Sequence, residues 1–192
     1  VLPFLDVVAK FLGEQNVPIM EIVWARLFFG MVMTAPLVWK MDGARSLIPQ
    51  RPVVHTIRAI FLVAATALFF WALKFQGIAE TLAIFFVQPL VITMLSPLVL
   101  GEKVGMRRWL AVAVGFMGTL IIIRPGFQGL NPGAFMALGA GTSLALYMLL
   151  TRRIAGSASA VTTTFLTSLA GAVLTSIAVV FVWRAPTPQQ WA

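Results

Sequence analysis

At 192 residues, with 60% hydrophobic and 10% charged side chains, the chain has too little polar surface to coat a soluble globule, since soluble domains run about 45–50% apolar and about 25% charged. The net charge of +8 lies in short clusters between apolar runs instead of on one basic face, which excludes a nucleic-acid interface and fits the bias of Lys and Arg toward cytoplasmic loops. With no cysteine, a disulfide framework and thiolate chemistry are excluded. Apolar runs of about 20 residues, instead of alternating segments of about 10, exclude a β-barrel and predict membrane-spanning helices.

In chain order, seven apolar segments are predicted. The first, Val1 to Leu12, is too short to span. With Val1 where an initiator methionine would stand and no polar tail after Trp191-Ala192, it reads as the end of a helix in an internal fragment. A polar turn, Gly13 to Asn16, precedes segment two, about Ile19 to Trp39, and Pro18 suits its opening turn. A basic loop with Lys40, Arg45 and Arg51 leads to segment three, about Val54 to Phe75. Gln76-Gly77 turns it into segment four, about Ile78 to Leu100. A second basic loop, Gly101 through Arg108, precedes segment five, about Trp109 to Ile123, which stops at Arg124-Pro125-Gly126. Segment six covers about Gly133 to Leu150 and ends on Arg152-Arg153. Segment seven covers about Val161 to Trp183.

Counting the 14 cations by side gives nine at the loops after segments two, four and six with their flanks (Lys40, Arg45, Arg51, Arg58, Lys103, Arg107, Arg108, Arg152, Arg153) and four at the opposite ends (Lys10, Lys74, Arg124, Arg184), with Arg26 inside a segment. The basic loops are therefore expected in the cytoplasm of a bacterial inner-membrane, multi-pass protein. Two pairs of short motifs recur. Lys10-x-x-Gly13 matches Arg153-x-x-Gly156, and Gly30-x-x-x-Thr34 matches Gly171-x-x-x-Thr175. Segments six and seven thus restart the pattern of one and two after five helices, an odd number that inverts the second copy, as in secondary transporters with a midplane site between inverted repeats.

Several residues carry candidate chemistry. A charge near the bilayer centre costs about 2.5–3.5 kcal/mol, so Arg26, two turns into segment two, either snorkels or pairs structurally, or stands as a fixed cation at a cavity. Asp6 and Lys10, spaced i, i+4, read as a self-neutralising pair or, with Arg26, as a gate. Glu80 opens segment four, where the helix dipole favours a carboxylate, or it draws a cationic substrate or proton to an outer mouth, with Lys74 nearby to neutralise it. Pro89 cannot donate a backbone hydrogen bond, which frees a carbonyl near Phe85 at membrane depth. Gln88 beside it supplies a donor and an acceptor, making Gln88-Pro89 a candidate site against the alternative of a packing kink. Gly139, Ser143 and Tyr147 share a face that reads as close helix packing, with Tyr147 available to a substrate. Trp24, Trp39, Trp71, Trp109 and Trp183 read as an interfacial belt, Trp71 being the one with a second reading as a substrate contact. His55 is expected at the surface, and Glu102-Lys103 as a pair fixing its loop. One His, no Cys and six acids supply no metal-ligand constellation, and no cofactor or enzyme motif is present.

Ala72-Leu73-Lys74 with Ala79-Glu80-Thr81, Pro89, Leu100-Gly101-Glu102-Lys103, Arg107-Arg108-Trp109, Gly115-Phe116-x-Gly118 and Arg124-Pro125-Gly126 together resemble EamA-type members of the drug/metabolite transporter superfamily, and among them bacterial importers assigned to S-adenosylmethionine or riboflavin. The resemblance implies ten helices in two inverted five-helix repeats. It makes this chain an all-α, polytopic fragment of about seven: residues 1–124 a first repeat without its beginning, and 125–192 the first two helices of a second. It also implies a secondary carrier that moves a small organic metabolite by alternating access, with the lipid bilayer and a second copy of the chain as candidate partners. An intramembrane enzyme acting on a lipid-type substrate would need a cluster of acids or His at one depth. A structural subunit would tolerate alanine at Arg26 and Gln88.

Overall fold

In a computed structural model the protein is described over residues 19–43, 48, 52–123, 131–156 and 159–180, apart from the side chains of 119, 122, 123 and 178. Segment one with Asp6 and Lys10, the cations Arg45, Arg51, Arg124 and Arg184, and Trp183 lie outside those residues. Within them the chain is all-helical: α1 (Ile19–Asp42), α2 (Pro52–Phe75), α3 (Ile78–Phe85), α4 (Gln88–Leu100), α5 (Met106–Ile123), α6 (Pro132–Arg153) and α7 (Ala160–Val180). Five stretches are long and apolar enough to cross a membrane: Ile19–Asp42, Pro52–Phe75, Ile78–Leu100, Pro132–Arg153 and Ala160–Ile177. The protein is a polytopic helical membrane protein, with Phe29, Met33, Leu98, Val114, Ile121 and Ile177 among the large apolar side chains on its outside, as lipid permits and water does not.

Two compact units divide the chain, one of residues 1–63 with 156–192, the other of residues 64–155. In the first, α1 packs along α7. The two helices run antiparallel. Trp24 near the start of α1 meets Ser176 near the end of α7, and Asp42 at the end of α1 meets Thr162 at the start of α7. Val38, Phe165 and Leu166 form a buried cluster between them, flanked by Met31, Ala35, Val161 and Leu169. The closest approach comes at two glycines. A Cβ on Gly30 would stand 3.3 Å from Ser168 Oγ, and one on Gly171 would stand 2.9 Å from Leu27 Cδ1. The contact is reciprocal, since each glycine receives the residue three positions before the other glycine. Thr34 and Thr175 turn their hydroxyls back onto the carbonyls of Gly30 and Gly171, at 2.7 Å in both helices, so neither presents an unbonded hydroxyl.

In the second unit α6 is the centre, with α3 and α4 packed on it and α5 against α3 and α4. Asn131 caps α6 by accepting from the Gly133 N–H at 3.0 Å, and its Nδ2 donates to the Phe75 carbonyl at 3.0 Å. Ala72, Ile84 and Ala137 form the local core. The loop after α4 explains its Gly-Glu sequence. Gly101 closes the helix at φ 70°, a left-handed conformation that glycine adopts without strain. Glu102 Oε2 accepts from the buried Ser96 hydroxyl at 3.2 Å and lies 4.0 Å from Arg108 Nη1. The expected Glu102-Lys103 pair is thus corrected: the carboxylate is held by Ser96 and Arg108, which α4 and α5 bring to it.

Candidate functional site

Segment four is where structure departs furthest from a continuous helix. The Phe86 N–H still bonds the Leu82 carbonyl at 3.0 Å, but the Val87 N–H tightens onto Ile84 at 3.0 Å, and the ladder restarts with Val91 on Val87 at 3.1 Å. Where a kink is expected, the hydrogen-bond ladder loosens over Phe86 and Val87 and divides the segment into α3 and α4. Pro89 falls in the first turn of α4, the position where a missing N–H is tolerated. Phe85, whose carbonyl Pro89 would have served in an unbroken helix, presents that oxygen to α6. A Cβ on Gly141 would stand 2.8 Å from Phe85 O and 2.9 Å from Val87 Cγ1. Only a glycine lets the two backbones meet there. Phe69 meets Phe85 edge-on at 5.2 Å and Phe70 at 6.0 Å, so aromatic rings pack the α3 side of the break.

Gln88, half-buried, crosses to α6, where its Nε2 donates to Met148 Sδ at 2.8 Å. Its amide oxygen keeps its acceptor capacity. Met148, next to Tyr147, is itself 38% exposed, and Pro89 and Phe86 are exposed. The break therefore carries a polar amide and a thioether on a surface otherwise apolar. Of the expected residues, Gln88 and Pro89 lie together at the break, and Gln88 reaches α6 at Met148, the residue after Tyr147. Glu80, half-buried, sits in the first turn of α3, where the dipole favours it; close by, Gln76 Nε2 donates to Thr81 Oγ1 at 3.1 Å. Trp71 on α2 is 37% exposed. In the other unit, Arg26 lies on the exposed side of α1, while Leu27 beside it is buried against α7.

Sequence reasoning misplaced one residue. His55 is buried, 7% exposed, not at the surface, and its Nδ1 lies 3.3 Å from Nη1 of Arg58, which is fully buried. Arg58, on the flank of its basic loop, is two turns inside α2 and is a packed side chain. Trp24 stacks on Phe28 at 5.0 Å and donates to Ser176 at 2.8 Å, so it joins two helices. Sequence reasoning also chose the Gly139-Ser143-Tyr147 face for packing. Gly139 does meet Leu68, at 3.1 Å, but the buried row is Gly133, Ala137, Gly141, Ala145 and Leu149. That row was visible as small residues every four positions.

Residues 4–124 match the model of the EamA-like transporter family. The chain belongs to that family. It is 26% identical over 182 residues to the S-adenosylmethionine uptake transporter of Rickettsia bellii, covering 95% of this chain and 62% of that protein. It is 30% identical over 149 residues to the riboflavin transporter of Vibrio cholerae, covering 77% of this chain and 50% of that one. A crystal structure matches with a TM-score of 0.65 at 21% identity, covering 96% of this chain and 68% of its own, which speaks for the fold. The chain spans about three-fifths of the length of such relatives, and with them it is a multi-pass bacterial membrane protein.

Proposed function

We propose that this EamA-family chain is the larger part of a secondary carrier that moves a small organic metabolite across the bacterial inner membrane by alternating access. The interruption of segment four at Phe86–Val87 carries the proposal. A span is broken only where protein or a water-filled cavity satisfies its backbone, and broken spans are where carriers place substrate sites. In this reading Gln88 is the orienting group, through its amide oxygen, with Pro89 holding the break and Tyr147 and Trp71 as aromatic walls. Glu80 attracts substrate or proton at one mouth. Arg26 is a fixed cation that pays its membrane cost by bracing Asp6 or an anionic part of the substrate.

The repeat assignment, residues 1–124 and 125–192, draws support from the α1·α7 pair. The positions in reciprocal contact or back-bonding, 27 to 168, 30 to 171 and 34 to 175, share one offset of 141 residues, and the helices run antiparallel, as inverted copies do. With that inversion the basic loops stay on the cytoplasmic side.

The named relatives set the order of testing: labelled S-adenosylmethionine, then riboflavin, then amino acids, offered to vesicles bearing the full-length protein. Saturable uptake or exchange of one of them is expected. Gln88→Ala is expected to lower that flux with the melting temperature unchanged, and Arg26→Gln to do the same. A full-length protein that moves no candidate would sink the carrier reading; full flux in Gln88→Ala would remove the break from the substrate path.

A further inference from the structure

The α1·α7 seam is held at both ends and in its middle. At one end the Trp24 indole N–H donates to Ser176 Oγ at 2.8 Å, and Ser176 in turn donates to the Ala172 carbonyl at 2.7 Å. In the middle stand the reciprocal glycine contacts of Gly30 with Ser168 and Gly171 with Leu27. At the other end Asp42 Oδ2 accepts from the hydroxyls of Ser159 and, at 2.7 Å, Thr162. The same Ser159 hydroxyl accepts the Thr162 N–H at 3.1 Å, so the carboxylate closes onto the capped, electropositive start of α7.

The seam is also locked in register. Leu27 fits because position 171 has no side chain. One turn to either side on that row of α7 stand Thr167 and Thr175, both β-branched and all but fully buried. Sliding the helices by a turn, about 5.4 Å, would drive Leu27 into a threonine. Splaying either end would break the Trp24–Ser176 bond or the Asp42 cluster. Packed interfaces of this kind hold or jump; they do not deform gradually.

We infer that α1 and α7 travel as one rigid rib throughout the transport cycle, so that alternation is carried by elements outside this seam. The inference rests on the carrier reading above. Substrate access through a gap opening between α1 and α7 is then excluded on both sides of the membrane.

The 192 residues contain no cysteine, so in a full-length protein with any cysteine outside them replaced, a pair of introduced thiols reports on the seam alone. A Cβ at position 30 would stand 3.9 Å from Ser168 Cβ, inside the range of about 3.5–4.5 Å that a disulfide requires. The test is Gly30→Cys with Ser168→Cys in the full-length protein in vesicles, with flux measured reduced, oxidised and reduced again. The expected result is complete cross-linking under mild oxidation, with flux equal in all three states. Flux that disappears on oxidation and returns on reduction overturns the inference, and so does a folded protein that will not cross-link. If that double variant does not fold, Leu27→Cys with Gly171→Cys takes its place, because Leu27 Cγ, where a sulfur would stand, is 3.6 Å from the Cβ position of residue 171. A cysteine-free parent without flux defeats the carrier reading itself, and the inference falls with it; that outcome is distinguished by the parent's failure before any oxidant is added.

Discussion

The α1·α7 seam and the α3/α4 break on α6 both depend on glycine, yet in different ways. In the seam two unbroken helices approach, and what each glycine meets is the end of a side chain, Leu27 Cδ1 or Ser168 Oγ. At the break, Gly141 meets the carbonyl oxygen of Phe85, a backbone group that no rotamer change can move. Side-chain ends can turn aside, while a displaced carbonyl carries its helix with it. Unbroken helices therefore make a seam in which a side-chain end can turn aside while the two helices keep their register. An interrupted helix makes a contact whose geometry is set by the backbone, which suits a place where a substrate group must be met at a defined position.

The comparison is broken most directly at Gly141. Gly141→Ala forces its Cβ against Phe85 O and is expected to cost about 1–3 kcal/mol, the range for overpacking a filled interior, read as a lowered melting temperature in detergent. A melting temperature equal to that of the parent would mean that the Phe85 carbonyl has room to retreat. Gly171→Ala is next. Its Cβ meets Leu27 Cδ1 at 2.9 Å, a clash that a rotation of Leu27 relieves in part, and alanine returns about 0.5–1 kcal/mol of helix preference. A smaller loss than at Gly141 is expected in the same melt, and a larger one would reverse the ranking of backbone over side-chain contacts. Gly30→Ala is the mildest. At 3.3 Å from Ser168 Oγ the new methyl asks a few tenths of an ångström from a hydroxyl that can turn, and helix preference offsets it, so the melt is expected to stay near that of the parent. A severe loss there would show that the seam is tighter than its side-chain distances imply.

Much of this was legible in the sequence. Segments two through seven correspond to α1, α2, α3 with α4, α5, α6 and α7, because runs of apolar residues of membrane length have one solution in lipid. The repeated Gly-x-x-x-Thr pointed to a repeat, and the structure shows that the two helices carrying it pack together. Pro89 announced a disturbed segment, since proline removes a specific hydrogen bond whatever the surroundings. Other features were not legible for stated reasons. His55 and Arg58 are polar types whose usual place is the surface, and only the packing around the start of α2 buries them. Glu102 has two cations near it in sequence, Lys103 and Arg107, yet holds Ser96 and Arg108, because the left-handed turn at Gly101 decides which way the carboxylate points. Asp42 had drawn no notice as an isolated loop acid until α7 brought Ser159 and Thr162 to it.

By itself the sequence determined membrane residence, the helical character of its apolar runs and the family, all of which follow from one-dimensional quantities: run length, residue type and motif spacing. Only the tertiary structure decided which glycines bear contacts, that the ladder of segment four loosens at Phe86–Val87, and that Gln88 reaches Met148. Those depend on which face each helix turns to its neighbour, and in a helix that is apolar all round no pattern of hydrophobicity reveals that face.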